Sequence, residues 1–108
     1  MKKVTIKTVP KDKIRNDGVG DYKKKGGNIE ILVADMNDKV EETAVAVHEL
    51  VEAVLADRRK IGFDKINQFD KEHAKAAEPG NLPGAPYRKE HAIATKVENI
   101  IRKEMRKR

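Results

Sequence analysis

Cysteine is absent from the 108 residues. Neither a disulfide framework nor a thiolate metal site is therefore open to this chain, and zinc or iron would need histidine and carboxylate ligands. The same absence fits a reducing compartment. Aromatic residues make up only 4%, which leaves Val, Ile, Leu and Ala to build the core wherever the sequence is apolar. No run approaches the ~20 apolar residues of a membrane span. After Met1-Lys2-Lys3 the chain alternates apolar and polar residues up to Pro10 and forms no apolar signal-peptide region, so a cytoplasmic protein without a membrane partner is expected. Proline is scarce and unevenly placed: three of the four fall within residues 78–86, where they fix an extended, irregular connection.

Charge is abundant instead, at 39% of residues with a net +6, but the cations come in short scattered runs at 23–25, 58–60, 88–89 and 102–108. Nucleic-acid readers usually concentrate their basic residues on one face and add aromatic stacking, so nucleic acid is not the favoured partner. A chain of this length is one domain, residues 1–108, and folding should remove roughly two-thirds of its unfolded surface from water. Its apolar segments argue against disorder throughout.

Alternation over residues 3–9 predicts a half-buried strand. Asn16-Asp17-Gly18 marks a turn that Ile14 could anchor, and residues 19–24 and 28–34 read as a hairpin across Lys25-Gly26-Gly27. Asp38 and Glu41 form a capping box for a first helix, which Arg58, Arg59, Lys60 and Gly62 bring to an end. That helix carries Val40, Ala44, Val47, Val51, Val54 and Leu55 on one wide apolar face, so it is expected to be buried nearly all round. A second helix should start near Asp64 and end before Pro79. A third should run from Tyr87 or Arg88 to the tail and bury Ile93, Val97, Ile100, Ile101 and Met105. The expected fold class is α+β: a small antiparallel sheet of about three strands from residues 1–36, packed on three helices from residues 37–108. The strand that leads into the first helix allows a zincin-like arrangement, a strand followed by a metal-binding helix.

Within the first helix the polar exceptions are His48, Glu49 and Glu52. His48 and Glu52 are four apart, so on a helix they stand one above the other and can grip one metal ion. Glu49 points about 100° away, where it suits a general base acting on water. This is the spacing of the His-Glu-x-x-His zinc helix with glutamate replacing the second histidine. Further metal ligands are sought among His91, Glu98, Asp70 and His73, with His91 preferred and Glu98 serving as ligand or as an orienting partner. Tyr87 is a candidate to polarise a substrate oxygen. A plainer reading stands beside this one: His48 bonds to a carboxylate, Glu49 and Glu52 pair with cations, His73 is a surface histidine and Tyr87 a packing aromatic.

Over residues 4–101 the sequence resembles a family of small uncharacterised proteins from bacteriophages and prophages. The likeness lies in His48-Glu49-Leu50-Val51-Glu52-Ala53, Phe69-Asp70, Glu78-Pro79-Gly80 and Ala85-Pro86-Tyr87-Arg88-Lys89-Glu90-His91. It implies the bacterial host cytoplasm and carries weight at His48, Glu49, Glu52, Asp70, Tyr87, His91 and Glu98. The first helix also looks like that of zincin metallopeptidases, from which it departs at Glu52. Glu49-Leu50-Val51-Glu52 matches half of the magnesium motif of the all-α nucleotide pyrophosphatases, but Ile101 stands where the second half needs Asp.

The expectation is a protein that binds a divalent metal, zinc ahead of manganese or iron, and acts as a metal-dependent hydrolase, a minimal zincin-like metallopeptidase. Its ligands would come from His48, Glu52, His91, Asp70 and Glu98, with Glu49 and Tyr87 as catalytic groups. The competing expectation is a non-enzymatic phage accessory protein that binds a host protein or nucleic acid through its basic surface.

Overall fold

β-Branched residues at alternate positions put Ile29, Ile31 and Val33 on one side of a strand, where they are 1%, 0% and 1% exposed. This strand is the centre of the sheet. The computed structural model describes residues 3–107, with strands β1 (Lys3–Val9), β2 (Gly20–Lys25) and β3 (Asn28–Ala34) followed by helices α1 (Lys39–Arg58), α2 (Phe63–Glu72) and α3 (Arg88–Met105). The architecture is α+β, a small sheet packed on three helices.

The hairpin of β2 and β3 is antiparallel, from Lys25 opposite Asn28 to Gly20 opposite Val33, and Gly26 takes φ +59° in its two-residue turn. β1 instead pairs parallel with β3, Val4 against Ile29 and Val9 against Ala34. The sheet is thus mixed, in the order β1-β3-β2, where an antiparallel one was expected. The reason is geometric. β1 and β2 run in opposite directions, so β3, drawn between them by its apolar face, must be parallel to one. The connection from β1 to β2 passes through two short 3-10 turns and is pinned by Ile14, 6% exposed. β2 is an edge strand, and Arg15 covers part of that edge: its Nη2 donates to the Tyr22 carbonyl at 3.1 Å while its Nε donates to Asp21 at 2.5 Å. Such plugging discourages pairing with another chain.

Asp38 caps α1, its carboxylate accepting from the Val40 and Glu41 amides at 3.0 and 3.3 Å. At the other end Lys60, at φ +59°, closes a Schellman turn in which Ile61 N donates to the Ala56 carbonyl and Lys60 N to that of Asp57. Gly62, read as part of this stop, is the residue that precedes α2. α1 touches β2, β3 and α3. Its most buried residues are Ala44, His48, Glu52, Ala53 and Ala56, while Val47, Val51 and Val54 are only half-buried. The polar sector therefore lies deeper than much of the apolar face.

α2 stops at Glu72, short of Pro79 and of the Ala77 expected to extend its face, where His73 caps it and its ring folds back on Phe69. α3 also departs from expectation. Glu90, His91 and Ala94 are its buried residues, while Ile93, Ile100 and Met105 are 37%, 60% and 45% exposed. The helix is turned so that its polar edge meets α1. Tyr22, Ile29, Ile31, Val33, Ala53, Ala56, Ile66, Ala85 and Tyr87 form the core, and a fully buried Ile or Val in it is worth roughly 1.5–3 kcal/mol. Among the described residues, no helix is long and apolar enough to cross a membrane.

Candidate metal centre

The four-residue spacing on α1 stacks His48 over Glu52 as the sequence requires. The antiparallel approach of α3 then brings His91 to the same point. Glu52 Oε2 lies 3.0 Å from His48 Nε2 and 2.8 Å from His91 Nδ1, so both rings donate an N–H to one carboxylate oxygen. The two rings meet edge to face, their centroids 4.8 Å apart. All three residues are buried, and each offers a ligand atom within 4.8 Å of the others, a group that could hold a metal ion.

Every remaining polar atom of the three has its own partner. His48 Nδ1 lies 2.6 Å from Glu98 Oε1, and Glu98 Oε2 accepts from Arg102 Nη2 at 2.8 Å. Arg102 in turn donates through Nε to Glu41 at 2.6 Å. His91 Nε2 lies 3.2 Å from Glu78 Oε2. Glu52 Oε1 accepts from the Tyr22 hydroxyl at 2.8 Å. A carboxylate behind each imidazole is the usual companion of metal-ligating histidine, since it fixes the tautomer and raises basicity.

Electrostatics follow from this packing. Burial disfavours a charged His91, but Glu52 and Glu78 outweigh it and lift the ring to about 10. His48 is raised in the same way, by Glu52 and Glu98 against burial. Burial opposes ionisation of Glu52, yet His48, His91 and Tyr22 hold its carboxyl below the ordinary range. Each ring is thus held by two carboxylates, Glu52 and Glu98 for His48 and Glu52 and Glu78 for His91, which favour its protonated form.

Glu49 differs from these. Burial, then the charge of Glu52, pushes its carboxyl well above the usual range. Among the described residues it has no hydrogen bond or ion pair. It faces a cleft of about 640 Å³ whose wall also includes His48, Glu52, His91, Asp70 and Tyr87. Gly20 on β2 makes room for it, because a Cβ there would lie 2.7 Å from both Glu49 Cγ and Oε1.

Of the residues singled out in the sequence, His48, Glu52 and His91 converge, and Glu98 stands behind His48. Asp70 is apart from that group. It accepts a short hydrogen bond from the Tyr87 hydroxyl, and burial raises its carboxyl despite that bond. Tyr87 is itself buried, and burial together with Asp70 raises its hydroxyl. His73 stacks on Phe69 with centroids 4.1 Å apart and engages the Phe69 carbonyl through Nδ1 at 2.9 Å, away from the cluster. The plainer reading of His48 as a histidine bonded to carboxylates also describes these contacts. Sequence reasoning missed Tyr22, Glu78 and Arg102. Tyr22 and Arg102 carry no local signal, being one residue of a hairpin strand and one of many cations. Glu78 had one, its place at the mouth of the proline-fixed loop. No protein-family model, curated protein or solved structure matches this chain.

Proposed function

We propose that His48, Glu52 and His91 bind one divalent metal ion and that the site hydrolyses a peptide or another small amide or ester. The observation that carries this reading is the convergence of two imidazole nitrogens and a carboxylate oxygen whose other polar atoms are each engaged elsewhere. Two histidines and one glutamate with an open fourth position suit catalytic zinc, and the same set accepts manganese or iron(II). The ion would supply a Lewis acid in the cleft.

The chain's own groups do the rest. Glu49, unpartnered and beside the triad, takes the proton of the attacking water and returns it to the leaving group. A dication nearby would pull its raised pKa down toward the range in which a carboxylate works as a base. Asp70 accepts the hydrogen bond of the Tyr87 hydroxyl in the cleft wall, and Tyr87 would orient a substrate oxygen by turning its one proton from Asp70 to the substrate. The accessory-protein reading has less support, because several of the cations it would use are paired with carboxylates. Lys7 and Lys23 share Glu30, Lys24 meets Asp57, and Arg102 and Arg106 share Glu41.

Elemental analysis of the purified protein tests the reading directly. Near one equivalent of zinc, manganese or iron is expected, and none in His48→Ala/Glu52→Ala. An absence of metal in both, even after incubation with divalent ions, would leave the cluster a buried hydrogen-bond network.

A further inference from the structure

The segment Glu78-Pro79-Gly80 meets His91 twice. Gly80 is buried, and a Cβ on it would lie 2.5 Å from His91 Cγ, 2.6 Å from Nδ1 and 2.9 Å from Cδ2. The ring therefore rests directly on the Gly80 backbone, in space that any other residue would fill. Two positions earlier, Glu78 Oε2 reaches the far nitrogen of the same ring, 3.2 Å from Nε2. Between them Pro79 opens a 3-10 turn over Pro79–Asn81, closed by Asn81 N on the Glu78 carbonyl at 3.0 Å and Leu82 N on that of Pro79 at 3.1 Å. With its φ fixed, Pro79 stiffens the link between the two contacts.

An imidazole can bind a metal through either nitrogen, and the choice is set by whatever holds the other. We infer that the Glu78-Pro79-Gly80 segment is a positioning device that commits His91 to bind the metal through Nδ1. His48 is committed the opposite way, with Nδ1 held by Glu98 and Nε2 turned to Glu52. The centre is thus a mixed one, Nε2 from α1 and Nδ1 from α3. This inference rests on the metal reading above. Glu78 is a positioning residue: its side chain is 61% exposed, against 7% for His91, so it reaches inward from the rim of the cleft.

The test uses cadmium-113 as the probe, with the full chain carrying nitrogen-15 in its histidines. One-bond cadmium–nitrogen couplings identify each bonded atom, and they are expected at His48 Nε2 and His91 Nδ1. Zinc affinity, measured by chelator competition, should fall about 10–100-fold in Glu78→Ala, the usual effect of losing an orienting partner. Glu78→Gln, which keeps an acceptor, should lose less, and in Glu78→Ala the His91 coupling should weaken or move to Nε2. Gly80→Ala should lose more than Glu78→Ala. Glu78→Ala, altered only at an exposed side chain, keeps the test sound if Gly80→Ala does not fold. A His91 coupling on Nε2 in the wild type, or wild-type affinity in Glu78→Ala, overturns the inference while the metal site stands. No cadmium coupling at either histidine of the wild type overturns the metal reading and this inference with it.

Discussion

His91 sits between two carboxylates, and that position sets the pH behaviour of the metal-free protein. Its ring is lifted from the ordinary 6.5 to about 10. A group raised on folding contributes stability fully below its unfolded pKa, and loses that contribution as pH rises through the folded value. Glu52 is shifted the other way, so its contribution is present above the ordinary 4.5 and lost as pH falls below it. Thermal midpoints in a chelating buffer should therefore be highest between about pH 5 and 6.5 and decline toward about pH 10. A midpoint flat across that upper range would mean that His91 is neutral in the folded chain. Zinc must displace the same protons, so its affinity should climb over the window in which the metal-free midpoint falls.

Glu49 and Tyr22 separate chemistry from binding at the same scale. Glu49→Gln should keep one equivalent of metal and lower hydrolysis about 10²–10⁴-fold, the ordinary worth of a general base. Tyr22→Phe removes the hydrogen bond to Glu52 Oε1, so it should weaken zinc by about tenfold or more without changing the stoichiometry. Equal activity in Glu49→Gln and wild type, with metal in place, would remove Glu49 from the mechanism.

At the scale of elements, α1 was legible because its signals are local. Asp38 accepts from the first amides, the apolar run fixes the length, and the i,i+4 spacing of His48 and Glu52 is a property of any helix. Orientation was not legible. Periodicity marks the face of α3 that carries Ile93, Ile100 and Met105, but not that the polar edge beside it, with His91 and Glu98, would turn inward, because the gain lies in partners on α1 and in the proline loop. The parallel pairing of β1 was hidden for a related reason, since strand order depends on which strand wins the centre. The Schellman turn makes a further expectation concrete. Lys60 holds φ +59°, a region that costs a residue with a Cβ roughly 1–2 kcal/mol, so Lys60→Gly should stabilise the fold by about 0.5–1 kcal/mol in urea unfolding. Unchanged or reduced stability would show that the Lys60 side chain offsets the strain.

Across the whole molecule, the site is the place where separate parts of the chain are fastened together. His48 and Glu52 come from α1, His91 from α3, Tyr22 from β2 and Glu78 from the loop before Pro79–Asn81. A second fastening lies nearby, where Arg106 reaches Asp38 at 2.9 Å and Arg102 reaches Glu41 at 2.6 Å, joining the end of α3 to the start of α1. Its members are 27–49% exposed, so salt should weaken it more than the buried cluster. An ion seated between α1 and α3 binds only when both are docked, which makes binding free energy available to the whole fold. With free zinc at about a hundred times its dissociation constant the gain is roughly 2.7 kcal/mol. For a domain of about 100 residues that should raise the thermal midpoint by on the order of 10–20 °C. His91→Ala should show no such rise, and in the wild type helix and tyrosine signals should shift together. A zinc-induced rise that survives His91→Ala would place the ion elsewhere, whereas a shift in the tyrosine signal alone would mean that the ion tightens the hairpin around Tyr22 without fastening α3 to α1.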